Sequence, residues 1–156
     1  MRRRYQTEED RAREAALMDT IRKHWRVGIH ANPDFYELDC TMHLEGSTKQ
    51  RLVTGFAELK HRLKDTWNQD VGGHGDYMIA MSKWRAGVAF SHLLKVPCVL
   101  VVRWQCGTTL WAPIAGRPMR VTFSGRFDRD DEQDQEPCVR VPLQEFQPLT
   151  TKPEGL

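Results

Sequence analysis

Cys98-Val99-Leu100-Val101-Val102 restricts the fold of this chain more than any other segment. Five apolar residues in succession leave no polar face, so a strand made of them is buried on both sides. Such a strand lies inside a sheet that is covered on both sides. The 156 residues fit one domain with one core, taken here as residues 1–156.

The elements around that strand can be read from local chemistry. Thr7 can cap a helix, Asp10 supplies the return half of a capping box, and Glu8, Glu9 and Asp10 fill the first turn, where the helix dipole favours acids. Leu17, Met18, Ile21 and Trp25 follow at helical spacing, and Gly28 suits a C-terminal stop, which predicts a helix over 7–27. Asn32-Pro33 breaks the chain. From Phe35 to Leu44 the residues alternate, with Tyr36, Leu38, Cys40 and Met42 on one face and Phe35, Glu37, Asp39, Thr41 and His43 on the other. Residues 45–49 form a turn, and Leu52 to Lys60 alternates again, with Thr54, Phe56, Glu58 and Lys60 on one face. Two period-two runs around a Gly-containing turn predict a hairpin. Residues 61–76 are polar and rich in glycine, a loop. A second helix is expected over 77–95, with Ile79, Ala86, Phe90 and Leu93 as its stripe and Pro97 as its stop. Shorter strands are expected near 109–114, 118–124 and 138–143, with an acidic loop at 128–136.

Hydrophobic residues make up 40% of the chain and charged residues 28%, the profile of a folded soluble protein. No apolar run approaches the roughly 20 residues that cross a bilayer. The basic start, Met1 to Arg4, has no apolar stretch behind it, so a cytoplasmic location is expected rather than secretion. Cys40, Cys98, Cys106 and Cys138 include no C-x-x-C pair and read as reduced thiols, and with the six histidines they show no zinc-ligand spacing. That spacing is also missing for a zinc or HNH-type nuclease. Residues 1–126 carry 20 Lys/Arg against 13 Asp/Glu, whereas residues 127–156 carry 3 against 8. A basic body with an acidic distal segment suits a polyanionic partner.

The hairpin concentrates the chemistry. Asp39 and Glu58 share a face of adjacent antiparallel strands, within roughly 8 Å at the backbone, and Lys60 shares that face two residues on. Hard divalent cations take oxygen ligands, and Mg²⁺ is held by one or two carboxylates while keeping several waters. Such an ion can activate a water and stabilise charge on a phosphodiester, and a neighbouring lysine can orient the water or offset developing charge. A solvated hairpin face would also show Glu37, Asp39, Glu58 and Lys60. The order of elements favours a site: helix, strand with Asp, turn, strand with E-x-K, helix, buried strand. So do the apolar neighbours Leu38, Cys40, Phe56, Ala57 and Leu59.

Leu38-Asp39-Cys40 followed by Ala57-Glu58-Leu59-Lys60 resembles the D…(D/E)-x-K signature of the PD-(D/E)XK nuclease superfamily, and the surrounding chain, over residues 7–106, resembles its small phage-type members of the endonuclease or resolvase kind. The resemblance implies an α/β, restriction-endonuclease-like core with a central mixed β-sheet flanked by helices. It also implies dependence on Mg²⁺ or Mn²⁺ and cleavage of nucleic acid, here DNA. Asp39 and Glu58 match the metal-binding acids and Lys60 the catalytic lysine. Asp39 is not preceded by proline, a position that varies within the superfamily. Many members place a metal-associated Glu on the first helix, and Glu14, on the apolar stripe of the first helix, is the candidate; the alternative is an edge position paired with Arg11 or Arg22. Resolvases of this class act as dimers, which makes a homodimer the expected assembly.

Further residues could meet the substrate. Lys83 could reach the acidic patch and touch a phosphate, or snorkel at the surface. Tyr77 could offer its hydroxyl or ring, or pack in the core. His61, Arg62 and Lys64, with Gly72-Gly73-His74-Gly75, would border the site, where basic residues suit backbone phosphates. His43 shares the Asp39 face but is not expected to be a ligand. The acidic loop lacks the EF-hand spacing and glycine. The leading reading is a metal-dependent nuclease. The alternative is a non-catalytic DNA- or protein-binding regulatory module on the same fold.

Overall fold

The computed structural model describes residues 6–34, 36–46, 52–63, 75–116, 119–125 and 135–156. The predicted turn at 47–49, Phe35, Lys64, Gly72, Gly73, His74 and the acidic positions 128–134 lie outside these residues.

Helix α1 spans Glu8–Trp25. Thr7 caps it as the sequence requires: its hydroxyl accepts from the Asp10 N–H at 3.1 Å, and the Asp10 carboxylate accepts from the Thr7 N–H at 3.1 Å. The Thr7 N–H and, at 2.9 Å, the Thr7 hydroxyl both donate to the Asp10 carboxylate and hold its pKa below the usual value. The helix ends earlier than expected, at Arg26 in the left-handed region with φ of 53°. Gly28 is therefore not the stop. It sits in strand β1, Val27–Ala31, directly opposite His43, whose ring lies across it: a Cβ at Gly28 would stand 1.9 Å from His43 Cε1. The hairpin follows as β2, Cys40–Leu44, and β3, Val53–Arg62.

The expected helix start at Tyr77 is also corrected. Asp76–Ala80 forms strand β4, with Tyr77 and Ile79 turned inward and Met78 outward, and helix α2 begins only at Met81 and runs to Leu94. Of the anticipated stripe, Ile79 belongs to the strand and Leu93 is 74% exposed; Trp84, Ala86 and Gly87 are the buried residues of the helix. The later strands are β5 (Cys98–Trp104), β6 (Thr109–Pro113), β7 (Arg120–Gly125), β8 (Gln135–Pro142) and β9 (Gln147–Pro148).

One sheet has the order β1-β2-β3-β5-β6-β9, antiparallel except for the parallel β3/β5 pair. A parallel pair needs a crossover, which is the segment holding β4 and α2. The β4 strand joins β8 and β7 in a separate antiparallel sheet of three, a layer the local pattern did not announce. Strand β5 is buried on both faces, as its composition demands. Val99 and Val101 pack toward Leu17, Ile21 and Trp25 of α1; Cys98, Leu100, Val102 and Trp104 pack toward Tyr77, Ile79, Trp84, Val139 and Val141. Each such side chain, fully buried, contributes roughly 1.5–3 kcal/mol. All four cysteines are free thiols. Among the described residues no helix is long and apolar enough to cross a membrane.

Candidate active site

Alternation along β3 puts Ala57 and Leu59 on the α1 side of the large sheet, with Phe56 and Glu58 on the α2 side. The β2/β3 ladder begins at Cys40↔Ala57, so Asp39, one residue before β2, stands across from Glu58. Its carboxylate Oδ2 accepts the Leu59 N–H at 2.9 Å and so continues the ladder past the end of the strand.

Asn32 braces that position. Its N–H donates to the Asp39 carbonyl at 2.8 Å, its Nδ2 donates to the Leu38 carbonyl at 2.8 Å, and its Oδ1 accepts from the Thr41 hydroxyl. As a sequence feature Asn32 reads only as the residue before a breaking proline, so its role was missed. An amide that closes bonds on both sides of an active-site acid acts on it by orientation.

Glu58 is fully buried, 0% exposed. Its Oε1 accepts from Lys60 Nζ at 2.6 Å. Its Oε2 lies 3.1 Å from Lys83 Nζ without the alignment of a hydrogen bond, so this oxygen has an ionic neighbour but no hydrogen-bond partner. Lys83 Nζ is also 3.6 Å from Asp39 Oδ1. The site is thus two carboxylates and two ammonium groups, with side chains 16% exposed at Asp39, 39% at Lys60 and 28% at Lys83. Burial raises the Glu58 pKa above the ordinary carboxylate value; Lys60 and Lys83 oppose this and Asp39 adds to it. Burial works to lower the Lys60 pKa, but Glu58 and then Asp39 outweigh it and hold the ammonium above its usual value.

Glu14 lies on the α1 side. Its Oε2 accepts from Gln6 Nε2 at 2.7 Å, and with Gln6, Asp10, Lys60 and His61 it lines a pocket of about 170 Å³. Arg22, a partner considered for it, pairs instead with Asp19 and the Ile29 carbonyl. Burial pushes up the pKa of the Cys40 thiol, and the negative charges of Asp39, Glu14 and Glu58 add to this. Among the described residues, however, no three His, Cys, Asp and Glu side chains gather closely enough to hold a metal ion. Asp39 and Glu58 form a pair and Glu14 stands apart.

Tyr77 is 6% exposed, its ring against Trp104 and Phe146, so it offers no free face to a base. The Arg62 guanidinium carbon lies 5.8 Å from its ring centroid, within cation–π reach. Lys64 lies outside the described residues.

A six-stranded mixed sheet between helices, with Asp before one central strand and E-x-K on the next, defines the restriction-endonuclease-like class of PD-(D/E)XK proteins. The chain belongs to a phage endonuclease family: residues 1–149 match the family described as "Phage putative PDDEXK endonuclease". Its class of activity is accordingly that of a nuclease. The fold is similar to that of Hjc, a Holliday junction resolvase from the archaeal hyperthermophile Archaeoglobus fulgidus, with a TM-score of 0.52 and 9% identity over 88% of this chain and 86% of that one. No curated protein matches the chain.

Proposed function

We propose that the protein is a divalent-metal-dependent endonuclease, of resolvase type, that hydrolyses phosphodiester bonds in DNA. The observation that carries this reading is the fully buried Glu58 carboxylate, whose Oε2 makes no hydrogen bond among the described residues and shares the Lys83 ammonium with Asp39 Oδ1. A buried carboxylate is costly without a cation, and two acids gathered around one ammonium offer a divalent ion a place of the right charge. Two carboxylates suit Mg²⁺ or Mn²⁺, which can keep waters in their remaining positions. Asp39 and Glu58 would hold the ion, and Glu14, which stands apart on the α1 side, would contribute only its negative charge. Bound there, it would polarise a water and offset charge on the phosphodiester.

Lys60 is tied to Glu58 and partly exposed, so its ammonium faces the position where negative charge develops and can stabilise it. Lys83, Arg62 and Lys64 are proposed contacts to DNA phosphates. Tyr77 acts through Arg62, holding the guanidinium from behind. A homodimer would supply one such site per strand of a two-strand cut.

The test is cleavage of supercoiled plasmid and of a four-way DNA junction with Mg²⁺ or Mn²⁺, against EDTA. Metal-dependent nicking or resolution is expected; DNA binding without cleavage under every condition would leave the non-catalytic alternative. The acid limb of the pH profile gives a second check. Glu58 must be ionised to bind a cation, and its folded-state pKa is raised above 4.5. Cleavage should therefore fall as pH drops through a midpoint above 4.5.

A further inference from the structure

Lys83 is placed where helix physics does not want it. It lies in the first turn of α2, where the dipole favours anions, and that turn has no acidic residue and no side-chain cap. What it meets instead is the acid pair. One ammonium stands 3.1 Å from Glu58 Oε2 and 3.6 Å from Asp39 Oδ1, one oxygen of each acid, whereas Lys60 takes the remaining Glu58 oxygen.

We propose that Lys83 is the resident counter-cation of the metal site: it neutralises the acid pair in the metal-free protein and is expelled toward the substrate when a divalent ion enters. The inference rests on the metal-dependent reading above and adds a competition to it. Mg²⁺ demands oxygens at about 2.0–2.1 Å, closer than either now stands to the nitrogen. An ion held by both oxygens would take the place the ammonium now occupies between them. The Lys83 side chain is 28% exposed on a flexible stem, so it can swing outward. Lys60 has no such conflict, because it bonds to Glu58 Oε1 and not to the oxygens that Lys83 approaches.

A competitor that occupies the free site weakens the apparent affinity of the ligand that displaces it. Calorimetric titration of Mn²⁺ at pH 8, without DNA, into wild type, Lys83→Met, Lys83→Gln and Glu58→Gln tests this, together with the Mn²⁺-induced shift in Tm. Both Lys83 variants are expected to bind Mn²⁺ about tenfold more tightly than wild type and to show a larger Tm shift, with Glu58→Gln showing neither. If wild type binds Mn²⁺ and both Lys83 variants bind it equally or more weakly, the counter-cation role is overturned while the metal reading stands. If no variant and no wild type binds Mn²⁺, the metal reading itself falls, and the inference with it.

Discussion

Glu58→Gln should abolish cleavage, by at least roughly 10³-fold, in a protein that folds normally. The loss follows from geometry. Glu58 supplies the one fully buried carboxylate of the site and the anchor for Lys60, so the amide removes a cation ligand and releases the lysine at once. The effect on stability follows from electrostatics. The raised pKa of Glu58 means that its ionised form is disfavoured in the native state relative to the unfolded chain. That cost is absent below the unfolded value near 4.5 and fully present above the raised folded value. Glutamine, which never ionises, is spared it. This relief raises the Tm of the variant at pH 7–8 and shrinks as pH falls toward 4.5, while the loss of the Glu58 partner of Lys60 acts against it, so the net change in Tm should be small. Lys60 and Lys83 keep Asp39 as a neighbour and can reach water, so the substitution strands no buried cation. Loss of activity with a lower Tm and a changed circular dichroism spectrum would instead mean that Glu58 supports the fold.

Lys60→Met should lower kcat roughly 10²–10³-fold while leaving Mn²⁺ binding largely intact. Lys60 carries a charge that the site holds in place through Glu58 and Asp39, on a side chain open enough to face substrate. Its contribution is expected in the transition state, where charge on the phosphoryl oxygens grows, so KM should change far less than kcat. Rescue by Lys60→Arg should be poor, since a planar guanidinium does not replace a compact ammonium bonded at 2.6 Å to a buried oxygen. A methionine variant that cleaves at the wild-type rate would remove Lys60 from the chemistry.

The central strand and the hairpin were legible because each has an unambiguous period: an unbroken apolar run for Cys98–Val102 and strict alternation through Phe56 to Lys60. That register brought Glu58 and Lys60 to one face and Asp39 across from them. Two strands were hidden by their neighbours. Val27–Ala31 is short and contains Gly28, which mimics a helix stop when its actual role is to make room for the His43 ring. Tyr77–Ala80 runs into α2 with no capping side chain to mark the junction, and its partner β8 is remote in sequence, so no local signal separates strand from helix. Asp39 proved to be held by its own carboxylate bond to Leu59 and by the Asn32 brace rather than by strand pairing. Side-chain bonds across a bend have no sequence period and could not be read in advance. Tyr77 shows the same limit. Its ring is buried, and only tertiary packing reveals Arg62 stacked against it.

Anomalous diffraction from crystals grown with Mn²⁺ tests the metal site most directly. A peak is expected between Asp39 and Glu58, within coordination distance of about 2 Å of a carboxylate oxygen from each, with Lys83 withdrawn from between them. A fully loaded crystal with no peak there, or with Lys83 still bridging the two carboxylates, would contradict it.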